Sequence, residues 1–249
     1  MSERPPVGAP VDPRPAQRPE RRDIEGQYVT LTPLDASSHA PALFEQLCGP
    51  SHSVVWTYMP KPSSGDFDSL SQFTEHLEPH QASTDPVFYT IIPKRDLPGT
   101  SGAKAGTPVG FISYLNIEPA HRSVEIGFVT FAPAALQRTT EATEVLGLMM
   151  RHAFEGLGYR RVEWKCDALN RPSRRAAERL GFVYEGLFRQ HRIVRARNRD
   201  TAWYSVTDEE WADGGVGAAL EKWLDPENFK GGKQIKTLEQ IRAELRGGK

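Results

Sequence analysis

Apolar and polar residues alternate with a period that changes repeatedly along the chain, and each change predicts a new element. A period near two predicts strands, and a period near 3.6 predicts helices. Strands are predicted at residues 27–34, 86–92, 109–117, 123–132, 160–168, 182–194 and 199–207, and helices at 36–47, 67–81, 139–158 and 170–180. Asp35 and Asp66 are the predicted N-caps of the first two helices. This order of elements predicts a mixed α/β fold in one domain.

The two ends of the chain differ from the middle. Residues 1–23 contain repeated prolines and scattered charges with almost nothing apolar, which predicts a disordered tail. The predicted domain covers residues 24–227. Residues 228–249 are predicted to form a linker and a short amphipathic helix, which would contact the domain, a partner or neither. Its apolar residues recur at helical spacing, at Ile235, Leu238, Ile241 and Leu245.

Composition narrows the class of protein. A chain of 249 residues that is 38% hydrophobic can bury a sizeable core, and a net charge of −1 argues against a nucleic-acid partner. Cys48 and Cys166 are far apart, and no metal-ligand spacing is present, so we expect reduced thiols and no metal. No secretory signal or membrane-spanning run is evident, which favours a soluble protein in the cytoplasm.

The segment from Asn170 to Gly186 has the local features of a short helix that leads into a strand. The side chain of Asn170 is suited to accept a hydrogen bond at the helix start, and Pro172 lies in the first turn, where a missing N–H costs nothing. Two alanines and Leu180 form the predicted buried stripe, and Gly181 ends the helix. These local effects explain the shape but not the choice of Asn, Ser and Arg.

The pattern Asn-x-x-Ser, then Ala-Ala-Glu-Arg-Leu-Gly-Phe and Glu-Gly, resembles the second motif of the GNAT superfamily of N-acetyltransferases. Residues 123–133 and the helix after them are similar to that superfamily's central strand and acetyl-CoA helix. The RimJ/RimL-like branch, whose members acetylate ribosomal-protein N-termini or small amines, is the most similar. The resemblance spans about Gln27 to Trp211.

This resemblance implies a single GNAT-like domain of the α/β (α+β) class, with a mixed, mostly antiparallel twisted sheet and helices on both faces. It implies an acyltransferase that moves an acetyl group directly from acetyl-CoA to a primary amine. The acceptor would be a small molecule or the N-terminus of a peptide or protein, and the enzyme would be a monomer or a homodimer.

The loop that binds the pyrophosphate in this family has the pattern Gln/Arg-x-x-Gly-x-Gly/Ala, whose glycines let backbone amides approach the phosphates. In this chain Arg138 and Thr140 stand at the two glycine positions. Their side chains would supplement the amides, whereas Glu141 and Glu144 bring negative charge into the same turns. The resemblance implies a coenzyme site formed by Phe131, Gln137, Arg138, Thr139, Thr140, Asn170 and Ser173.

Acetylation of an amine needs a neutral amine, a donor for the thioester oxygen and a proton for the departing thiolate. The resemblance implies that backbone groups near Phe128 to Phe131 polarise the carbonyl. Glu125 is the candidate general base or cation-binding carboxylate. The alternative is a structural ion pair with Arg122 or with a charge on a neighbouring strand. His121 is a second candidate base.

The proton donor is the weakest part of the predicted mechanism. Many relatives use a tyrosine on the short helix, and residues 174–180 contain none. Ser173 or a water would take that role, and the alternative for Ser173 is a capping hydroxyl. The missing glycines and tyrosine therefore leave open a catalytically weakened acyl-CoA-binding or scaffold protein.

A cluster of five arginines falls in the last predicted hairpin: Arg189, Arg192, Arg195, Arg197 and Arg199. Alternation would bring several of them to one face, which suggests an acidic substrate, a nucleotide 3′-phosphate or RNA. The alternative is a set of solvated charges that protect a sheet edge from aggregation. The sequence does not identify the acceptor.

Overall fold

A computed structural model describes residues 5–60, 66–97 and 103–247. Its main sheet has eight strands in these described ranges, in the order β1-β2-β3-β4-β5-β6-β8-β7. The strands are β1 (Ile24–Glu25), β2 (Val29–Pro33), β3 (Val87–Pro93), β4 (Gly110–Glu118), β5 (Ser123–Phe131), β6 (Arg161–Asp167), β7 (Val183–Val194) and β8 (Arg197–Thr207). Only β5 and β6 run parallel, which confirms the predicted mixed, mostly antiparallel sheet.

Helices cover both faces of this sheet, as predicted. They are α1 (Ala36–Leu47), α2 (Leu70–Gln81), α3 (Thr140–Arg151), α4 (Arg171–Leu180), α5 (Asp208–Ala212), α6 (Val216–Leu224) and α7 (Leu238–Gly247). Helices α1 and α2 pack against β4 and β3 on one face. On the other face, the Tyr114 hydroxyl of β4 donates to the carbonyl of Met149 in α3, at 2.5 Å. The Trp164 indole of β6 likewise donates to Ser173 in α4, at 2.9 Å.

Two helix predictions needed correction. Helix α2 begins at Leu70, because Ser69 rather than Asp66 is its N-cap and accepts from the amide of Gln72. Helices α5 and α6 were not predicted, although α5 starts with a capping box in which Thr207 and Glu210 bond each other's backbone amides. The predicted N-cap Asp35 is confirmed, since its carboxylate accepts from the amide of Ser38.

The N-terminal segment contacts the domain before the predicted boundary at residue 24. The amide of Ala16 donates to the carbonyl of Pro119 at 3.0 Å, and that of Gln17 donates to Leu157 at 2.9 Å. The Tyr89 hydroxyl donates to the carbonyl of Glu20. Backbone hydrogen bonds hold this segment against the domain. Such bonds do not require apolar side chains, so the hydrophobic pattern did not predict them. The division at residues 23 and 228 stays a prediction, and residues 1–4 and 248–249 lie outside the described ranges.

The C-terminal helix α7 contacts the domain rather than solvent alone. Leu238 and Ile241 are buried, and α7 packs against α4 and α6. The Arg242 guanidinium donates to the carbonyl of Arg179, at the end of α4. Ile235, predicted to belong to the apolar stripe, precedes the helix and is exposed.

A short two-stranded ribbon, β9 (Phe229–Lys230) with β10 (Lys233–Gln234), connects α6 to α7. Asn228 fixes this connection from the inside. Its amide group donates to the carbonyls of Trp223 and Lys236, and its oxygen accepts from the amide of Lys236. The segment predicted to be a linker is therefore hydrogen bonded to itself and to α6.

Candidate active site

The two parallel strands at the centre of the sheet separate along their length. Ser123 to Glu125 of β5 pair with Arg161 to Glu163 of β6, and no further pairs join the two strands, whose described lengths run on to Phe131 and Asp167. Beyond Glu125 the sheet therefore opens into a gap. The splayed central strand implied by the resemblance is present.

At the same level β5 also departs from β4. Phe128 and Val129 form a bulge opposite the single residue Ile112, and Phe128 has a φ of 49°. The Phe128 ring packs 5.0 Å from the Phe88 ring, between centroids. A bulge interrupts regular ladder pairing, which leaves backbone groups beside the gap for another partner. The Phe128 side chain itself takes part in ordinary aromatic packing.

The loop from β5 to α3 brings the other predicted coenzyme residues to the wide end of the gap. Thr139 is the N-cap of α3: its hydroxyl accepts from the amide of Ala142 and donates to Leu136. Gln137 donates to the carbonyl of Phe131 at 3.3 Å. Arg138 has a φ of 65°, a left-handed conformation that favours glycine. An arginine therefore adopts a glycine-like backbone conformation at the position that aligns with the first loop glycine.

Both acidic residues of α3 have partners elsewhere in the protein. Glu141 is 2% exposed and forms an ion pair of 2.6 Å with Arg95. Glu144 is 4% exposed and accepts from three amides at the start of β2, those of Gln27, Tyr28 and Val29, at 2.7–2.8 Å. The N-terminus of α3, including Thr140, therefore retains its favourable field for anions.

The start of α4 shows which of Asn170 and Ser173 caps the helix. Asn170 is the N-cap, and its side-chain oxygen accepts from the amide of Ser173 at 3.2 Å. The Ser173 hydroxyl is not a cap, because it accepts from the indole N–H of Trp164 instead. The Ser173 hydroxyl also forms a hydrogen bond with the Cys166 side chain, which opposes the burial that raises the pKa of that thiol. Gly181 ends the helix with a φ of 106°, as predicted.

Glu125 lies on the face of the sheet opposite α3 and α4. It is 5% exposed, and its carboxylate accepts from Asn116 at 2.6 Å and pairs with Lys165 at 2.9 Å. Burial raises the pKa of Glu125, although Lys165 and Asn116 oppose that shift. The predicted alternative partner Arg122 donates to the carbonyl of Gly158 instead. His121 is exposed beside a turn.

Lys165 is a residue of the candidate site that the sequence analysis did not identify. Its ammonium group lies between Glu125 and Glu163, 2.7 Å from the latter, and 4.1 Å from the Trp203 ring centroid. Glu163 also pairs with Arg161, and these hydrogen bonds overcome its burial and lower its pKa. The sequence does place charged residues at alternate positions of β6, but this pattern does not show which residue Lys165 pairs with.

We use the name open face for one group of side chains on β5, β6, β7 and β8, on the side of the sheet opposite α3 and α4. The group comprises Glu125, Glu163, Lys165, Phe188, His191, Arg199 and Trp203. Phe188 and Trp203 are stacked at 4.5 Å, and His191 lies 2.9 Å from the Thr201 hydroxyl. At the tip of the β7–β8 hairpin, Arg195 donates to the carbonyl of Thr57, which follows the short helical turn Ser53–Trp56. This contact joins the hairpin to the segment between α1 and α2.

The remaining sequence expectations concern metal ligands, cysteines and membrane-spanning segments. No group of three or more potential metal ligands is present within the described ranges. Cys48 and Cys166 are free and buried, and burial raises the pKa of Cys48 to about 12. No helix in the described part of the chain has both the length and the apolar character needed to cross a bilayer.

Comparison with known proteins gives a consistent result. The family described as "Acetyltransferase (GNAT) domain" matches residues 29–183. A GCN5-related N-acetyltransferase from Brucella melitensis is 40% identical, with a TM-score of 0.83 over 92% of this chain and 98% of that one. A GNAT-family protein from Chromobacterium violaceum is 38% identical, with a TM-score of 0.70 over 84% and 99%.

A Bacillus subtilis protein named "Putative ribosomal N-acetyltransferase YdaF" is 30% identical over 52% of this chain and 74% of its own. The family match covers more than half of the chain, so the chain belongs to the GNAT acetyltransferase family and is an acyltransferase.

Proposed function

We propose that this GNAT-family acyltransferase moves the acetyl group of acetyl-CoA directly to a primary amine, of a small molecule or of a protein N-terminus. The observation that carries the proposal is the gap between β5 and β6, with the capped N-terminus of α3 at its wide end. Because Glu141 and Glu144 are both engaged elsewhere, that N-terminus suits an anion such as a pyrophosphate.

The residues around the gap fit such a coenzyme. The amides of Thr140 and of the residue after it belong to the first turn, whose N–H groups have no partner within the helix. Arg138 and the Thr139 and Thr140 hydroxyls add donors for phosphate oxygens. Phe131, Gln137, Asn170 and Ser173 are the remaining proposed contacts, around the mouth of the gap.

Acetyl-CoA supplies a thioester that an amine attacks without covalent help from the protein. Glu125 is the proposed acceptor of the amine's proton, directly or through water, and its raised pKa suits that role. Lys165 opposes the shift and keeps the carboxylate oriented. The Ser173 hydroxyl is the proposed proton donor to the departing thiolate.

A second candidate is an acyl-CoA-binding or scaffold protein with weakened catalysis. Arg138 and Thr140 at the glycine positions, and the helix α4 without a tyrosine, favour it. Release of free thiol from acetyl-CoA across a panel of amines and peptides separates the two candidates. Turnover supports the transferase, whereas calorimetric binding of CoA without any turnover supports the scaffold. The absence of both binding and turnover contradicts both.

The role of Arg138 is tested by a matched pair of variants. Arg138→Ala and Arg138→Gly both remove the guanidinium, but only glycine tolerates a φ of 65° without strain. We expect both variants to raise the KM for acetyl-CoA more than they lower kcat, because phosphates bind alike in the ground and transition states. Unchanged KM in both would mean that the arginine does not contact the coenzyme.

The role of Glu125 is tested by the pH dependence of the rate. Glu125→Gln should lower kcat and remove the acidic limb of the pH–rate profile. The acceptor amine also titrates, so the profile is measured with one amine of low pKa and one of high pKa. Normal kcat at neutral pH with both amines would make Glu125 structural and leave proton removal to water or to His121.

A further inference from the structure

The two ends of the open face along β8 carry different charged groups. At one end, Lys165 and Glu125 lie beside the gap between β5 and β6, and Lys165 is the cross-strand partner of Trp203. At the other end, Arg199 is the cross-strand partner of Arg192 on β7. Arg199 and Trp203 are four residues apart, which in a strand corresponds to about 13 Å. The face therefore leads from a carboxylate near the gap to a pair of arginines.

Two donors on this face have no hydrogen-bond partner among the described residues. They are the Nε of Arg199 and the indole Nε1 of Trp203, and both atoms are buried. Buried polar atoms are nearly always hydrogen bonded, so an unpaired donor indicates a group that is absent from the structure. Both donors require an acceptor, such as a carbonyl or carboxylate oxygen.

The arginines at the far end also lack neutralisation. Asp200 lies beside Arg199 in sequence, but its Oδ1 accepts from the amide of Gln190 and from the side chain of Asn198. Arg192, Arg199 and Lys165 all lower the pKa of His191, after the larger effect of its desolvation, so their field is positive where His191 lies. Two side chains of like charge that face each other across neighbouring strands are destabilising without a counter-charge.

The position of these residues argues against the coenzyme as the missing group. Helix α3, whose N-terminus would bind phosphates, packs on the face to which Tyr114 points. Leu115 and its cross-strand partner Glu125 point to the opposite face. The open face shares that opposite side, and the contact between Arg195 and Thr57 joins its hairpin to the segment between α1 and α2.

We propose that the open face binds the N-terminal segment of a peptide or protein acceptor in an extended conformation, with its amine near Glu125. An acidic side chain at about the fourth or fifth residue of that segment pairs with Arg199 and Arg192. The stacked rings of Phe188 and Trp203 support the residues between. This inference rests on the proposed amine acetylation and selects a peptide acceptor over a small amine.

The test uses peptides that share a free Ser-Ala-Ala N-terminus and carry Glu-Glu, Gln-Gln or Lys-Lys at positions four and five. For the wild-type enzyme we expect kcat/KM to be about tenfold higher for the Glu peptide than for the Gln peptide, mainly through KM. Arg192→Gln/Arg199→Gln should abolish this preference. Arg199→Glu should shift the preference toward the Lys peptide. Arg199→Lys keeps the charge and should retain most of the preference.

The matched control is Arg160→Gln, because Arg160 is exposed at the other end of β6. It should leave the peptide preference unchanged. High salt should reduce the preference for the Glu peptide, since Arg192 is exposed and Arg199 is partly exposed, so that salt screens their charges. The thermal midpoint of each variant is measured in parallel, so that loss of folding is recognised as such.

The outcomes separate this inference from the proposed function. Equal use of the three peptides by the wild-type enzyme, or a small amine preferred over all of them, overturns the inference and leaves amine acetylation intact. A raised KM for acetyl-CoA but not for acetyl-3′-dephospho-CoA in Arg192→Gln/Arg199→Gln assigns the arginines to the coenzyme and also overturns it. Competition by an RNA oligonucleotide as strong as by the Glu peptide does the same. Failure of every acceptor contradicts the proposed function itself.

Discussion

The same face of the sheet is used in two different ways. Over β3 and β4, helices α1 and α2 cover it, and Trp56, Phe88 and Phe111 are at most 2% exposed. Over β8 and β7, the Phe188 and Trp203 rings stack just as closely, but Phe188 remains 48% exposed and charged side chains surround the pair. Aromatic stacking alone therefore does not identify a core.

The two halves also differ in the surroundings of their ionisable side chains. In the covered half, burial, with a smaller effect of His80, lowers the pKa of His76 to about 4, so that it is uncharged at neutral pH. In the open face, Lys165 pairs with both Glu125 and Glu163. The covered half buries an ionisable side chain among aromatic rings, whereas the open face surrounds its ionisable side chains with partners of opposite charge.

The largest expected effect is in the covered half. Phe88→Ala should lower the free energy of unfolding by about 3–5 kcal/mol, because it removes a fully buried ring that packs against His80, Phe111 and Phe128. Urea denaturation measures the loss. Phe88→Leu is the control and should cost much less. A loss below about 1 kcal/mol in Phe88→Ala would mean that this half is not a packed core.

The next effect separates charge from packing in the open face. Lys165→Met should cost about 2–3 kcal/mol at pH 7, because it leaves Glu125 buried without a counter-charge, whereas Glu163 keeps its ion pair with Arg161. The pKa of Glu125 is raised in the folded protein, so folding takes up protons and stability falls as pH rises through its range. Removing Lys165 strengthens that slope, and the loss should shrink toward acidic pH.

The control for this prediction is the double variant Lys165→Met/Glu125→Gln. It removes one of the two carboxylates together with the ammonium group, so it should be more stable than Lys165→Met alone. A loss in Lys165→Met that does not depend on pH would mean that packing of the lysine stem, and not its charge, stabilises this part of the sheet.

The smallest expected effect on stability is that of Phe188→Ala, at less than about 1 kcal/mol, because the ring is already half exposed. Chemical denaturation gives the stability, and acetylation assays give the KM for a peptide acceptor. We expect that KM to rise with little change in the KM for acetyl-CoA. A loss of stability as large as that of Phe88→Ala would erase the distinction between the two halves.

Local signals in the sequence predicted the elements well where a cap is explicit. Asp35 and Asn170 each bond an amide of the first turn, as their residue types suggested. Helix α2 was started too early because Asp66 and Ser69 are both good caps, and only packing selects between them. Helices α5 and α6 are short, and much of their burial depends on distant contacts such as the stacking of Trp211 on Phe154.

The candidate site was predictable only in part, since its partners meet through the tertiary fold. A charge on a neighbouring strand was one alternative for Glu125, but the register of the parallel pair β5 and β6 decides that the charge is Lys165. The partners of Glu141 and Glu144 are equally distant in sequence. The positive φ of Arg138 was not predicted, since the sequence showed only that Arg138 occupies a glycine position of the family's loop.

The carboxylate of Glu144, in the second turn of α3, joins this helix to the backbone at the start of β2, and Gly26 makes this approach possible. A Cβ at Gly26 would lie 2.7 Å from the carboxylate and 2.6 Å from the side chain of Leu148. The amides of Tyr28 and Val29 are thus protected from hydrogen exchange by an acceptor 116 and 115 residues away. Their exchange rates report how often α3 separates from the second strand, and a contact between segments so far apart in sequence forms late in folding.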